Sequence, residues 1–497
     1  MARASATLFL DIRKRTHVIS PWLHGGCIEN AGESIYGGIW INEGSNYSKH
    51  SGLRTEVMDA LKRSRLGLFR WPGGITANFY HWTDGIGPRS KRKRRVPAIG
   101  KTPETNQFGT HEFMDLCDKV GTQRVLVLNL ATGSVQEALD WAEYCNSTDL
   151  SEWVQERKLR GSPHPFHVEN WQLGEQPWKG GGNLTPEQYG ERYIATATLL
   201  KTRMPSARLF ACLHRNPDWN QRFLQILKSL SLSSLLNRAV IEFEADSSLI
   251  GGGAKPQNEE EYFGLFSHLA DLEVQIIQTL RLLERFIHAP HPVPVMLGRW
   301  GIRHPGSNPG TVFHQINTLR DGLFAACLMH ILFRFPDVDM ACIAYPLNSL
   351  HALLMTHKTD IIRTPTGHAL DLLKDHLCNK ALPLTVHSPK INLGRAWHPR
   401  NIPIVDGFAS LNSQEQPMLS LVNLHPEKSI QTTIHLKGAT IESAVIRTLT
   451  ANNVLDQNTF LAPHQVEPVE SPRQKTAVPI LNLPPHSLSQ IVMTLKP

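Results

Sequence analysis

Val125-Leu126-Val127-Leu128-Asn129, the amphipathic stretch 135–145 and Trp171-Gln172-Leu173-Gly174 follow one another as short apolar run, helix-like segment, short apolar run. That order is the unit of a parallel sheet crossed by helices. It continues on both sides. Gly67-Leu68-Phe69-Arg70-Trp71-Pro72 precedes it, and Arg208-Leu209-Phe210-Ala211-Cys212, Val240-Ile241-Glu242-Phe243 and Pro294-Val295-Met296-Leu297 follow. Amphipathic stretches at 112–120, 186–200 and 274–287 fall between them. The simplest closed arrangement is an α/β fold, a (β/α)8 TIM barrel over residues 21–381. Residues 6–19 alternate as one or two strands, so segment 1–20 is expected to pack on whatever follows the barrel. After residue 382 the texture changes to short β-rich runs such as Met418-Leu419-Ser420-Leu421-Val422-Asn423, punctuated by Pro, Asn and Gly. This predicts an antiparallel, jelly-roll-like β-sandwich over 382–497, with the polar stretch 457–475 as a long loop.

A chain of 497 residues, 41% hydrophobic and 19% charged, buries a large core, as expected of a globular protein in two or three domains. The net charge of +7 includes the run Arg89-Ser90-Lys91-Arg92-Lys93-Arg94-Arg95. With no nucleic-acid-binding motif beside it, that run reads as a solvated loop, and no nucleic-acid partner is expected. Seven cysteines form no CxxC pair and no zinc spacing, so they are expected to be core thiols. Neither a signal-like apolar segment nor a run long enough to cross a bilayer is evident, which predicts a cytoplasmic location without membrane attachment. His24, His81, His111 and His304 have no ligand spacing, and neither metal nor cofactor is expected.

Several motifs carry a resemblance. Ser34-Ile35-Tyr36-Gly37-Gly38-Ile39-Trp40, Arg70-Trp71-Pro72-Gly73-Gly74, Tyr80-His81-Trp82-Thr83-Asp84-Gly85-Ile86-Gly87-Pro88-Arg89, Glu104-Thr105-Asn106-Gln107-Phe108-Gly109 and Gly181-Gly182-Asn183-Leu184-Thr185-Pro186 stand in order through the barrel segment. In these runs the chain resembles glycoside hydrolase family 51, the α-L-arabinofuranosidases, over roughly its whole length. The resemblance implies an acid/base Glu after barrel strand four and a nucleophilic Glu after strand seven, since retention of configuration needs two carboxyl groups. It also implies that both are replaced here. Gly174-Glu175-Gln176-Pro177-Trp178 puts Gln176 at the acid position, and Gly298-Arg299-Trp300-Gly301 puts Arg299 at the nucleophile position. An amide is no useful acid and a guanidinium offers only donors.

The same resemblance gives Glu29 and Arg70 as pocket residues, Ile75 where a Cys is usual, Asn78 in place of an Asp and Tyr345 in place of a Gln. Phe243-Glu244-Ala245-Asp246 replaces a Leu-His-Tyr-Tyr run. The candidate catalytic set is therefore Arg299, Glu175, Glu244 and Gln176, with Glu29, Arg70, Ile75, Asn78, Trp178, Trp300 and Tyr345 contacting substrate. A barrel mouth that keeps its polar walls but lacks the expected carboxylates predicts a small-molecule ligand and a non-hydrolytic reaction. Cyclisation, cycloaddition, isomerisation or elimination, promoted by hydrogen bonding and orientation, would each fit. A catalytically inactive binding protein and a weak arabinofuranosidase with unorthodox catalytic groups remain as alternatives. A homo-oligomer is possible on the family resemblance.

Overall fold

The computed structural model describes residues 5–41, 49–97, 99, 103–180, 182–249, 252–287, 291–308, 313–393, 400–472 and 480–496. Segment 1–4, Gly181 and residues 473–475, which belong to stretches read above, lie outside the described residues. Eight parallel strands close into a barrel: Gly25–Cys27, Leu68–Trp71, Gln123–Leu128, Asn170–Leu173, Arg208–Cys212, Arg238–Asp246, Val295–Arg303 and Val338–Ile343. The last pairs with the first through Cys342 opposite Gly25.

Alternation along each strand separates two cores. Leu68, Val125, Phe210, Val240, Met296 and Met340 fill the barrel interior, while Leu126, Leu128, Trp171 and Leu173 belong to the core shared with the surrounding helices. The helices start where their sequences provide caps. Thr185 accepts from the amide of Gln188 ahead of Pro186–Arg203, with Pro at the first helical position. Asn258 caps the 28-residue helix Glu259–Phe286, whose first turn carries three glutamates and whose last carries Arg285.

Two barrel strands were not among the expected runs. The first, Gly25-Gly26-Cys27, has no β-forming side chains to announce it, because the space is already taken. A Cβ on Gly25 would meet the Ala341 carbonyl at 2.6 Å, and one on Gly26 would meet Pro346 at 2.4 Å. The eighth, Val338–Ile343, follows the helix Leu319–Arg334 so closely that the apolar runs merge in sequence.

After the barrel, six strands form an antiparallel sheet in the order Lys380–Leu382, Val405–Leu411, Pro417–Asn423, Ser487–Leu495, Ile441–Leu449 and Pro468–Glu470. The last corrects the reading of 457–475 as loop throughout. Only three residues long, it pairs Leu449 with Pro468 and Arg447 with Glu470 at the sheet edge, where a strand-initial proline costs no ladder bond. A second sheet orders Leu384–His387, Ser5–Asp11, Ile430–Lys437 and Ile480–Leu483. Its first strand in sequence runs parallel to Ile430–Lys437 and antiparallel to Leu384–His387, so Ser5–Asp11 is built into the sandwich.

Barrel and sandwich meet through polar contacts. His330 of the helix Leu319–Arg334 holds Asp406 at 2.8 Å and Ser420 at 2.7 Å, and Tyr262 donates to the Leu424 carbonyl at 2.8 Å. The basic run is used internally: Arg89 and Arg92 pair with Glu112, and Lys93 and Arg95 with Asp84. Six cysteines are buried and free, while Cys378 is exposed. Among the described residues no helix is long and apolar enough to cross a membrane.

Candidate active site

The C-terminal ends of strands two, four, six and seven converge on a cluster of charges. Arg70, on strand two, is fully buried. Its Nε donates to Gln172 Oε1 at 2.8 Å, and its Nη2 donates to Glu175 Oε2 in a very short contact. Gln172, on strand four, donates from Nε2 to the same Glu175 oxygen at 3.0 Å and to the Gly174 carbonyl at 2.9 Å. Glu175 follows a left-handed Gly174, whose φ of 82° turns the chain back over the barrel after only four strand residues. Asn78 holds that turn in place, donating to the Glu175 carbonyl at 2.9 Å and to the Gly180 carbonyl at 3.2 Å.

Facing Glu175 is Glu242, on strand six. Its Oε2 accepts a short bond from Gln176 Nε2 and lies 3.5 Å from Arg299 Nη2, and its Oε1 lies 3.8 Å from Arg70. The two carboxyl groups are within hydrogen-bonding reach of each other. Glu175 Oε1 is buried and receives no donor from the described residues. Burial pushes Glu175 well above the ordinary carboxylate value against the pull of Arg70, and the Glu242 charge pushes it further. Glu242 goes the other way. Burial raises it, but Arg299, the bonds from Glu175 and Gln176, and Arg70 together hold it below the ordinary value. The surroundings thus push the two carboxyl groups in opposite directions.

A second carboxylate station lies beside this pair. Glu29, fully buried, accepts from the Thr76 amide at 2.9 Å and from the Tyr345 hydroxyl at 2.6 Å. Gly73, at φ +101°, makes room for it: a Cβ there would stand 2.3 Å from Glu29 Cβ. Gly73→Ala is therefore expected to destabilise the fold by more than about 1 kcal/mol and to displace Glu29. A lowered melting temperature together with weakened ligand binding is the expected result.

The remaining candidates divide. Arg299 faces the cluster, whereas Glu244 sits higher on the rim, a third exposed, 3.3 Å from Arg303 and 4.0 Å from Arg299. Ile75 packs against Gly180. Trp178 turns away toward the helix Pro217–Ser229, edge-on to His214 at 4.5 Å and to Trp219 at 5.2 Å. Trp300 belongs to the outer core, edge-on to His351 at 5.9 Å. A register shift between Leu297 and Arg299 causes this: three residues after the interior Met296, Arg299 faces the cluster and Trp300 faces out. Sequence reasoning missed Glu242 and Gln172. The signal for Glu242 was present: it alternates with Val240, an interior residue, and so shares the inward face with Glu244.

None of the four histidines considered for a metal stands in this cluster's contacts. His81 pairs with Glu137, His304 with Asp321 and Ser247, His111 with Tyr144 and Ser162, and His24 is buried without a hydrogen-bond partner among the described residues.

An eight-stranded barrel with paired carboxyl groups at its mouth and a β-sandwich after it defines a glycoside-hydrolase type of architecture, and comparison with known proteins makes this specific. The α-L-arabinofuranosidase 1 domain matches residues 58–234, and the α-L-arabinofuranosidase C-terminal domain matches residues 298–487. The chain is 30% identical over 461 residues to α-L-arabinofuranosidase C of Emericella nidulans, covering 88% of each chain. It is 28% identical over 474 residues to an intracellular exo-α-L-arabinofuranosidase of Bacteroides ovatus, covering 94% of this chain and 91% of that one. The family 51 arabinofuranosidase of Xanthomonas axonopodis pv. citri superposes with a TM-score of 0.91 at 27% identity, over 99% of this chain and 100% of that one. The Thermotoga maritima α-L-arabinofuranosidase in its arabinose complex gives 0.89 at 26%, with the same coverage.

The chain belongs to the α-L-arabinofuranosidase family, glycoside hydrolase family 51. These relatives overturn the expectation of a non-hydrolytic reaction. Each is named as a sugar-cleaving enzyme along nearly the whole chain, and none points to a cyclase, isomerase or lyase or to secondary metabolism. The family is one of hydrolases.

Proposed function

We propose that this protein hydrolyses α-L-arabinofuranosides slowly, with Glu175 as proton donor and Glu242 as the anionic partner. The single observation that carries this is the facing pair itself at the end of the barrel strands, with Glu175 pushed up by burial and Glu242 held down by Arg299, Gln176 and Arg70. On the family resemblance, Gln176 and Arg299 occupy the positions of the usual acid and nucleophile. Here both bind Glu242 instead, so the carboxylate has moved to strand six and its former sites position it. Cleavage would begin with the Glu175 proton passing to the leaving oxygen as the glycosidic C–O bond breaks and a Glu242 oxygen bonds to the anomeric carbon; water, giving its proton to the Glu175 carboxylate, would then displace Glu242 and release arabinose.

Retaining hydrolysis works with carboxyl groups about 5–5.5 Å apart, whereas this pair is in contact. A furanose ring must part the two side chains, at the expense of their mutual hydrogen bond, and turnover is expected to be slow for that reason. The intracellular relative from Bacteroides ovatus supports a site of action inside the cell. The test is release of p-nitrophenol from p-nitrophenyl α-L-arabinofuranoside by the purified protein. Slow, saturable release is expected; a rate no higher than that of the Glu175→Gln, Glu242→Gln double variant would reject the assignment.

A further inference from the structure

On the sandwich, Ala6, Leu8 and Leu10 of the strand Ser5–Asp11 point into the core, and alternation turns Phe9 outward, where it is 47% exposed. Its neighbours hold the ring in place. His435, opposite it on Ile430–Lys437, stacks on it at 4.9 Å and 12°, and His387 stands edge-on at 5.6 Å. Opposite Phe9 on the other flanking strand, Leu384–His387, is the small Thr385. Phe9, Thr385 and His435 line an open groove of about 370 Å³ together with Asp11, Lys14 and Lys437.

The charges at this groove do not cancel. Asp11 is committed to Arg13, whose Nε and Nη2 donate to its two oxygens at 3.0 Å each. Lys14 and Lys437 make no ion pair among the described residues. Both stand at one end of the groove because the turn after Asp11 folds back on the neighbouring strand. The Lys14 amide donates to the Asp11 carbonyl at 3.3 Å, and the Ile12 amide to the Lys437 carbonyl at 3.2 Å. With Arg13, Lys14 and Lys437 against Asp11 alone, positive charge is in excess. The Thr385 hydroxyl and the His435 ring have no hydrogen-bond partner among the described residues, so donors and acceptors are open beside the exposed ring.

We infer that this groove binds an acidic saccharide, a chain of uronic-acid units, with a sugar ring against Phe9 and a carboxylate between Lys14 and Lys437. The volume corresponds to about twelve water-sized portions of about 30 Å³, room for about two pyranose rings. Each part of such a ligand meets its complement: the C–H face of the sugar the aromatic ring, its hydroxyls Thr385 and His435, its carboxylate the unpaired ammonium groups. A nucleic-acid strand suits the groove less well, because Asp11 stands among the cations and would face a run of phosphates. The groove shares no residue with the carboxyl cluster, so it holds a saccharide chain without taking part in its cleavage.

The test is calorimetric titration of the full-length protein with sodium trigalacturonate, against its methyl ester and against trithymidylate at matched ionic strength. Saturable binding of trigalacturonate below about 5 mM is expected, with the other two weaker. The exposed double variant Lys14→Gln, Lys437→Gln should weaken it about tenfold, the range for two solvent-accessible ion pairs, and Phe9→Ala should weaken it as well. Equal binding of the methyl ester, tighter binding of trithymidylate, no saturation below about 5 mM, or undiminished binding by the double lysine variant would each overturn the site. Melting of the variants without ligand establishes that they fold.

Discussion

Glu175→Gln and Glu242→Gln are each expected to reduce arabinofuranoside hydrolysis by about a hundredfold or more, the range for losing a positioned proton donor or its anionic partner, while leaving the fold intact. The fold survives because an amide at 175 still accepts from Arg70 and Gln172, and an amide at 242 still accepts from Gln176. The pH profile separates the two roles. Activity needs Glu242 ionised and Glu175 protonated. It therefore falls on the alkaline side as pH rises through the raised value of Glu175, while on the acid side unfolding intervenes before the depressed value of Glu242 is reached. Residual turnover by Glu175→Gln should have lost the alkaline limb, and that by Glu242→Gln should keep it.

Arg299→Ala adds an independent check. With the strongest cation removed, Glu242 loses the charge that holds it down, so the acid limb moves to higher pH. An acid limb in Arg299→Ala that stays on the unfolding midpoint, rather than rising above it, would show that Arg299 does not hold Glu242 down, and the mechanism would fail with it.

The cluster reads as one connected unit. Gln172 joins Arg70 to Glu175, Gln176 joins strand four to Glu242, and Arg299 joins Glu242 to the rim at Glu244. Neutralising Glu242 leaves Arg299 with Glu244 at 4.0 Å, so Glu242→Gln is expected to lower stability somewhat while its bond from Gln176 keeps the local geometry. Cationic Arg299 and anionic Glu242 are thus better understood together than singly. The barrel was legible because apolar period and helix caps act locally: the strand at Gln123–Leu128 and the helix at Pro186–Arg203 are written in their own residues. The site was legible only where a motif pinned the register, at Glu175, Gln176 and Arg299. Glu242 lay inside a recognised apolar run, but which carboxylate it would face depends on strand six lying across from strand four, a contact no local pattern encodes. Trp300 failed for the opposite reason, since its place in a motif suggested the pocket while the register shift after Leu297 sent it into the outer core.

Acidification is expected to unfold the protein cooperatively between about pH 6 and 4, with buried histidines as the cause. Burial depresses His24 and His376 to about 3 and His351 to about 4, and all three are at most a few per cent exposed. The folded values lie below the unfolded value of about 6.5, so the unfolded chain binds more protons throughout that interval. Stability is then complete above the unfolded value and is lost as pH falls toward the folded ones. Each group removes about 1.4 kcal/mol per pH unit below about 6.5, so three remove about 6 kcal/mol by about pH 5, which is comparable with the whole stability of a typical domain.

His111 and His368, both lowered to about 4, act in the same direction. Glu104, Glu175 and Glu273 act against it, because their raised values mean that the native state holds the extra protons. That opposition ends near the ordinary carboxylate value, where the depressed Asp321 and Asp406 begin to add to the loss. His24 offers the cleanest variant: neither ring nitrogen has a partner among the described residues, so His24→Leu removes proton uptake without breaking a hydrogen bond. The acid midpoint, followed by tryptophan fluorescence, should move to lower pH in His24→Leu while stability at neutral pH holds or rises. A midpoint below about pH 3 in the parent protein, or one that His24→Leu leaves unchanged, would remove the histidines as its origin. The same window limits the site, since a protonated Glu175 is useful only where the barrel is folded; its raised value keeps the donor loaded above the pH at which the histidines take the fold apart.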